Sequence, residues 1–340
     1  MIVLGIETTC DETSAALVEN GRKILSSSIA SSSKLFRKYG GVVPEVAARE
    51  QIRSIIPVLR ESTAQVKPSQ IDAIAVSHGP GLVGSLLIGV ETAKALAIAW
   101  DKPLVLVNHL IGHVYANFVS ELPNSKAEIP KFPVVALIVS GGHTDLILMT
   151  DHGKYQWLGG TLDDAAGEAF DKVARTLGLG YPGGPEIERI ALKSKLASRK
   201  LLVDLPRPML RDGSFDFSFS GLKTAVVSLI NSYGDKPLTI ARSADIAVSF
   251  QRAVIDVLVE KTIRAAKKYE VCEILVGGGV AANRLLRSEL TGRGLQLGMK
   301  VKFPSIDLSV DNAAMIAAAA YFNFIPQEAT AAQALPGLYF

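Results

Sequence analysis

Cysteine, histidine and net charge are all in short supply here. With 2 Cys, Cys10 and Cys272, in 340 residues there is no disulfide framework, and the opening Met1-Ile2-Val3-Leu4-Gly5-Ile6 shows no secretory start, so a reducing, cytoplasmic setting is expected. Uninterrupted apolar runs of bilayer length are lacking too. Glu91 and Lys94 break Leu86 to Trp100, and Ala313 to Ile325 is too short and Ala-rich, so no membrane role is expected. A net charge of +3 argues neither for nor against nucleic acid, although Lys193, Lys195, Arg199, Lys200, Arg207 and Arg211 fall close together as a candidate phosphate-binding stretch. What is present, 48% hydrophobic and 20% charged residues, is a globular composition in a chain long enough for two domains.

The chain opens as a meander. Val3 to Ile6 and Thr13 to Val18 read as strands, and Asn20-Gly21 is a hairpin signal before a third, Lys23 to Ile29. Between the first two lies Glu7-Thr8-Thr9-Cys10-Asp11-Glu12, read as a turn whose three acids repel one another unless a cation, a ligand or solvent screens them. Helix, strand, helix, strand and helix follow as far as a Pro-containing linker, Ser120 to Pro133. Beyond it the opening returns: Val135 to Leu148 lies over Val3 to Ala16 without a gap, at an offset of 132. The later α and β order repeats as well. Two homologous domains facing each other across a cleft are expected.

Only 5 His occur, and two of them, His109 and His113, stand four apart after the apolar run Pro103 to Val107. If a helix begins there, both imidazoles leave one face with neighbouring Cβ atoms, as one metal ion requires. The spacing is that of the zinc-protease signature H-E-x-x-H, but Leu110 stands where the glutamate base belongs, so a metal clamp survives without the protease catalyst. A clamp of two His wants an oxygen ligand. Asp311 is the carboxylate of choice, with a plain helix cap as its alternative role. Gly277-Gly278-Gly279-Val280-Ala281-Ala282 follows a strand and precedes a helix but lacks the acid of a dinucleotide fingerprint; it keeps the general physics of glycines and a helix N-terminus beside an anion. Asn283 is either the cap of that helix or a ligand contact. Ser140-Gly141-Gly142-His143-Thr144 is a second small-residue turn suited to phosphate. Asp163 or Asp164 is expected as a helix cap, Asp171 follows further along, and Tyr181 to Pro185 reads as a turn one helical turn before Glu188.

In combination these motifs resemble one family over nearly the whole chain. They are Gly5 to Thr13, Gly40-Gly41-Val42-Val43-Pro44-Glu45, the His109 and His113 pair, Ser140 to Thr144, Asp216-Phe217-Ser218-Phe219-Ser220-Gly221-Leu222-Lys223, and Asp311 to Ala317. The sequence is similar to the tRNA adenosine threonylcarbamoyltransferases, the TsaD type formerly described as O-sialoglycoprotein endopeptidases, and His143 resembles the bacterial and mitochondrial members. The resemblance implies a duplicated α/β actin-like ATPase fold of the ASKHA, ribonuclease H-like kind, with two lobes and a central cleft. An N-terminal lobe over residues 1–125 would carry the His ligands, a C-terminal lobe over 133–325 most nucleotide contacts, and 326–340 a tail.

The resemblance further implies that His109, His113 and Asp311 bind one iron or zinc ion. It implies that Val139, Ser140, Gly141, Gly142, His143, Asp171, Gly184, Glu188 and Asn283 contact threonylcarbamoyl-adenylate. The acyl group would pass to the exocyclic amine of the adenosine beside the anticodon of tRNA, with Asp11 or Glu12 accepting the amine proton. A paralogous actin-like partner with a small ATPase, or a homodimer, is the expected assembly. The sequence departs from the family pattern in several places: many relatives have His where Gln51 stands and often near Lys34, so neither position takes a metal role, Glu188 replaces Asp, and Ser309-Val310 replaces a Cys/Thr-type pair. A metalloprotease and a nucleotide-binding scaffold of the same fold are the rival readings.

Overall fold

The computed structural model describes residues 1–120, 129–193, 203–234 and 238–340, so Lys195, Arg199 and Lys200 of the candidate phosphate-binding stretch lie outside the described residues. Strand pairing lays one motif down twice. In the first pass β1 (Ile2–Glu7), β2 (Glu12–Glu19) and β3 (Lys23–Ser31) form an antiparallel meander. Asn20 and Gly21 both take positive φ, 52° and 66°, the conformation that matches a two-residue turn to strand twist. Helices α1 (Ser33–Phe36) and α2 (Pro44–Ser62) lead to β4 (Ala73–Gly79), which pairs parallel to β1. Then α3 (Val83–Trp100) leads to β5 (Leu104–Asn108), parallel to β4, and α4 (His109–Tyr115).

The second pass runs through β6 (Val134–Val139), β7 (Thr144–Asp151) and β8 (Lys154–Gly160), then α5 (Ala166–Thr176), α6 (Gly183–Lys193), α7 (Ser220–Ser232) and α8 (Ile240–Lys268). It ends with β9 (Glu273–Gly277), α9 (Arg284–Gln296) and β10 (Lys300–Lys302). The sheet orders, β5-β4-β1-β2-β3 and β10-β9-β6-β7-β8, correspond strand for strand. The bounds of β1 and β2 fall on those of β6 and β7 at the offset of 132. Their registers differ: Glu7 pairs with Ser14, whereas Val139 pairs with Thr144, so the second hairpin is slipped by two residues. An even slip keeps every side chain on its own face, and it leaves the first connection longer than the second. The extra length is where Thr8 to Thr13 finds room for its carboxylates.

The compact units divide the chain differently from the expected boundaries. One unit takes Met1–Pro130, Asp151–Lys154 and Pro304–Phe340; the other takes Lys131–Thr150 and Tyr155–Phe303. The reason lies in the last helices, α10 (Ile306–Ser309) and α11 (Ala313–Phe322). Ala313 to Ala320 are all buried, and their small side chains let α11 lie against β1. Gly5 marks the closest approach, since a Cβ there would stand 2.2 Å from the Ala313 carbonyl oxygen. The strand β11 (Pro326–Gln327) then adds to the free edge of β5. Residues 326–340 are therefore no free tail: the Leu335 amide donates to His78 O at 2.7 Å and the Gly81 amide to Pro336 O at 3.2 Å.

α3 alone among the described helices is long and apolar enough to cross a bilayer. Its Leu86, Val90, Ala93 and Ala97 are buried in the first unit, while Glu91 and Lys94 pair at 2.9 Å.

Candidate active site

A sharp helix start presents the two histidines. Asn108 caps α4, its Oδ1 accepting from the amides of Leu110 and Ile111 at 2.8 and 3.4 Å, so His109 and His113 occupy one face a turn apart. Their rings meet edge-on with centroids 4.7 Å apart. Asp311 comes to them from the opposite end of the chain, its Oδ1 3.2 Å from His113 Nε2 and 3.6 Å from His109 Nε2. The alternative role for Asp311 falls away. Asn312 is the N-cap of α11, accepting from the Met315 amide at 3.0 Å, and the helix starts at Ala313 rather than at Asp311.

Among the described residues this is the group suited to a metal ion, with donor atoms all within 4.8 Å of one another. The fit can be judged on His113. The side chain is fully buried, and neither ring nitrogen has a hydrogen-bond partner among the described residues. A buried imidazole left so costs about 1–3 kcal/mol unless something ligates it, and a cation opposite a carboxylate answers that need. Two nitrogens and one carboxylate leave coordination positions open. That donor set suits zinc or iron(II).

Glu7 is a functional residue that the sequence placed in the turn and the structure places at the end of β1, fully buried. Its Oε1 accepts from the amide and hydroxyl of Thr9, both at 2.6 Å, and its Oε2 lies 3.0 Å from His109 Nδ1. The carboxylate thereby holds a proton on Nδ1 and turns Nε2 toward Asp311, where a metal ion would replace the Nε2 proton. Burial disfavours a charged His109, but the Glu7 and Asp311 charges and the Glu7 hydrogen bond prevail, raising its pKa to about 9.

The turn that follows is clamped from α2. Gln51 is buried, and its Nε2 donates to the carbonyls of Thr8, Cys10 and Glu12 at 3.0, 2.9 and 3.3 Å. Asp11 and Glu12 stand on this turn, and Ser31 Oγ donates to Glu12 Oε1 at 3.0 Å. Burial first, then the charges of Asp11 and Asp311, push the Glu12 carboxyl up to about 10.

The expected nucleotide contacts all belong to the second unit, where a chain of contacts links them. Ser140 O accepts from the Gly167 amide at 3.1 Å, tying the hairpin turn to α5. Asp171 Oδ1 accepts from the Gly183 amide at 2.6 Å, tying α5 to α6. Glu188 Oε1 accepts from the Arg284 amide at 2.6 Å, tying α6 to α9. Gly278, at φ 95°, closes on Val139, whose carbonyl oxygen would lie 2.4 Å from a Cβ there. Cβ atoms on Gly141, Gly142, Gly184 and Gly279 would meet nothing within 4 Å, so these backbones border open space. Gly184 lies in the first turn of α6, which begins at Gly183, earlier than the expected turn allowed. Asn283 is the cap of α9, accepting from the Leu286 amide at 3.1 Å, while its Nδ2 donates to Gln251 at 3.1 Å. Asp163 caps α7 rather than α5, accepting from the amides of Phe219 and Ser220 and the hydroxyls of Ser218 and Ser220, and Asp164 pairs with Lys172 at 2.7 Å.

Comparisons with known proteins bear on the family and the fold. The family profile described as tRNA N6-adenosine threonylcarbamoyltransferase matches residues 23–318. The protein of that name from Symbiobacterium thermophilum is 54% identical over 323 residues, covering 94% of this chain and 91% of its own length, and the one from Bacillus subtilis is 51% identical over 327 residues, covering 95% and 91%. Among solved structures, full-length HypF in its phosphate- and nucleotide-bound form superposes with a TM-score of 0.58 at 12% identity, over 95% of this chain and 46% of that one. Component A of the Acidaminococcus fermentans (R)-2-hydroxyglutaryl-CoA dehydratase gives 0.51 at 18% identity, over 95% and 98%. These two likenesses concern the fold alone, the twice-laid two-sheet architecture described above. With the profile spanning most of its length, the chain belongs to the tRNA N6-adenosine threonylcarbamoyltransferase family.

Proposed function

We propose that this protein moves the threonylcarbamoyl group of threonylcarbamoyl-adenylate to the N6 amine of the adenosine 3′ of the anticodon, in tRNAs that read codons starting with A, releasing AMP. The observation that carries the reading is the convergence of His109, His113 and Asp311, from segments far apart in the sequence, in the unit that also holds the Asp11 and Glu12 turn. An aromatic exocyclic amine is a poor nucleophile, so both a polarised acyl carbonyl and a base for the amine proton are needed. Iron or zinc held by His109, His113 and Asp311 would supply Lewis acidity at that carbonyl.

In the transfer, N6 forms a bond to the carbamoyl carbon, the bond from that carbon to the AMP oxygen breaks, and the N6 proton leaves to a carboxylate. Burial and the charges of Asp11 and Asp311 favour a proton on Glu12, so we assign Asp11 as the base and Glu12 as its hydrogen-bonding neighbour. The backbones of Val139, Ser140, Gly141, Gly142 and His143, with Asp171, Gly184, Glu188 and Asn283, would border the adenylate. A cytoplasmic setting, and assembly with a paralogous actin-like partner and a small ATPase or as a homodimer, complete the reading.

The test incubates metal-loaded protein, preformed adenylate and unmodified tRNA, then analyses the nucleosides by mass spectrometry. Threonylcarbamoyladenosine is the expected product. A scaffold of the same fold would leave the adenosine unmodified even with its partners added, and a peptidase would need the glutamate that Leu110 replaces.

A further inference from the structure

We propose that the segment from Ser32 to Gly41 grips the anticodon loop, with Lys34, Arg37 and Lys38 on RNA phosphates and Tyr39 stacked on an unpaired base. This rests on the tRNA reading above. The whole protein carries a net charge of +3, and this short segment carries three cations with no acid between Ser31 and Pro44. All three are exposed, and none has an ion-pair partner among the described residues. On the neighbouring helix α2 two of the three cations are paired, Arg49 with Glu45 and Arg53 with Glu50, both at 2.5 Å. Tyr39 is 61% exposed, an aromatic face with nothing folded over it.

The segment is nonetheless fixed in place. Phe36, fully buried, pins its centre. At its start, the Ser32 amide and hydroxyl both donate to the Asp11 carbonyl, at 3.0 and 2.7 Å. Asp11, Thr13, Ser31, Ser32, Leu35 and Glu50 line one small hollow, so the segment that carries the cations borders the carboxylate turn through Ser32 and Leu35. That placement meets an electrostatic need. A turn with Asp11, near Asp311, repels a polyanion, and RNA reaches such a site only where cations beside it offset the repulsion. Loops of RNA are taken up by phosphate contacts together with stacking of unstacked bases on aromatic rings, the two chemistries this segment offers.

Binding of the full-length protein to an unmodified tRNA transcript, and to its isolated anticodon stem-loop, is measured across a salt series. For K34A/R37A/K38A we expect weaker binding of both RNAs, with the slope of log affinity against log salt reduced by about 2, at about 0.7 per phosphate contact. Y39A weakens binding roughly 5- to 150-fold, while Y39F and K34R/K38R stay near wild type. The KM for tRNA rises while the affinity for AMP, bound metal and the melting temperature do not change. Wild-type affinity and salt slope in the triple variant would overturn the proposal and leave the transferase reading standing; an acidic protein partner would then be the occupant to seek. If wild-type protein neither binds nor modifies tRNA, both readings fall.

Discussion

A fully buried carboxylate at the end of a strand is stable only with donors around it, and Glu7 has three, two from Thr9 and one from His109. Glu7→Gln keeps the volume but loses the charge that fixes the His109 tautomer. We expect a 10–100-fold loss of metal affinity by chelator competition, with the fold retained. Affinity within twofold of wild type would remove Glu7 from this role. Asp11 and Glu12 make a second residue-scale test. Transfer from preformed adenylate falls by about 10²–10⁴ in Asp11→Asn and much less in Glu12→Gln, because only Asp11 is asked to take a proton. Near-normal rates in both variants would end the assignment. The His pair was legible from spacing, and Asp311 from the need for an oxygen ligand. Glu7 and Gln51 were not, because their roles depend on partners distant in sequence, His109 for the one and three turn carbonyls for the other, which no local pattern encodes.

At the scale of elements, the position of α11 decides where Asp311 points. Gly5 and Gly112 let the helix come close: a Cβ on Gly5 would meet the Ala313 carbonyl at 2.2 Å, and one on Gly112 would meet Ile316 Cδ1 at 2.8 Å. The first obstacle is backbone and cannot rotate away. Gly5→Ala should therefore destabilise the protein by about 1–3 kcal/mol in denaturant unfolding and weaken metal binding, although residue 5 touches no ligand. Gly112→Ala meets a side-chain end and should cost less. The repeated hairpin was readable in the sequence because strand bounds recur at one offset; its two-residue slip in register was not, since an even slip leaves the alternation of apolar and polar residues intact. The start of α6 at Gly183 was also hidden, because glycine and proline in a row read locally as a turn, whereas the Asp171 carboxylate satisfies the Gly183 amide.

For the whole molecule, the return of residues 304–340 to the first unit puts all three metal donors in one compact body. Sequence order hid this, because a helix of alanines carries no mark of which sheet it covers. Metal and folding are then linked through protons. In metal-free protein, His109 is held near 9 against an ordinary 6.5 and Glu12 near 10 against 4.5, so the folded state binds more protons than the unfolded one between those values. Their contribution to stability is complete below the ordinary values and is lost as pH rises through the raised ones. A metal ion needs His109 neutral at Nε2, so it takes over as that proton leaves. The melting temperatures of loaded and stripped protein should therefore draw apart between pH 6.5 and 9. A gap independent of pH would contradict the linkage.

Crystals of protein loaded with zinc or iron, with diffraction collected on both sides of the metal absorption edge, test the centre most directly. We expect one anomalous peak bounded by His109 Nε2, His113 Nε2 and an Asp311 carboxylate oxygen. Metal-loaded protein that transfers threonylcarbamoyl to tRNA yet shows no peak there would contradict the account.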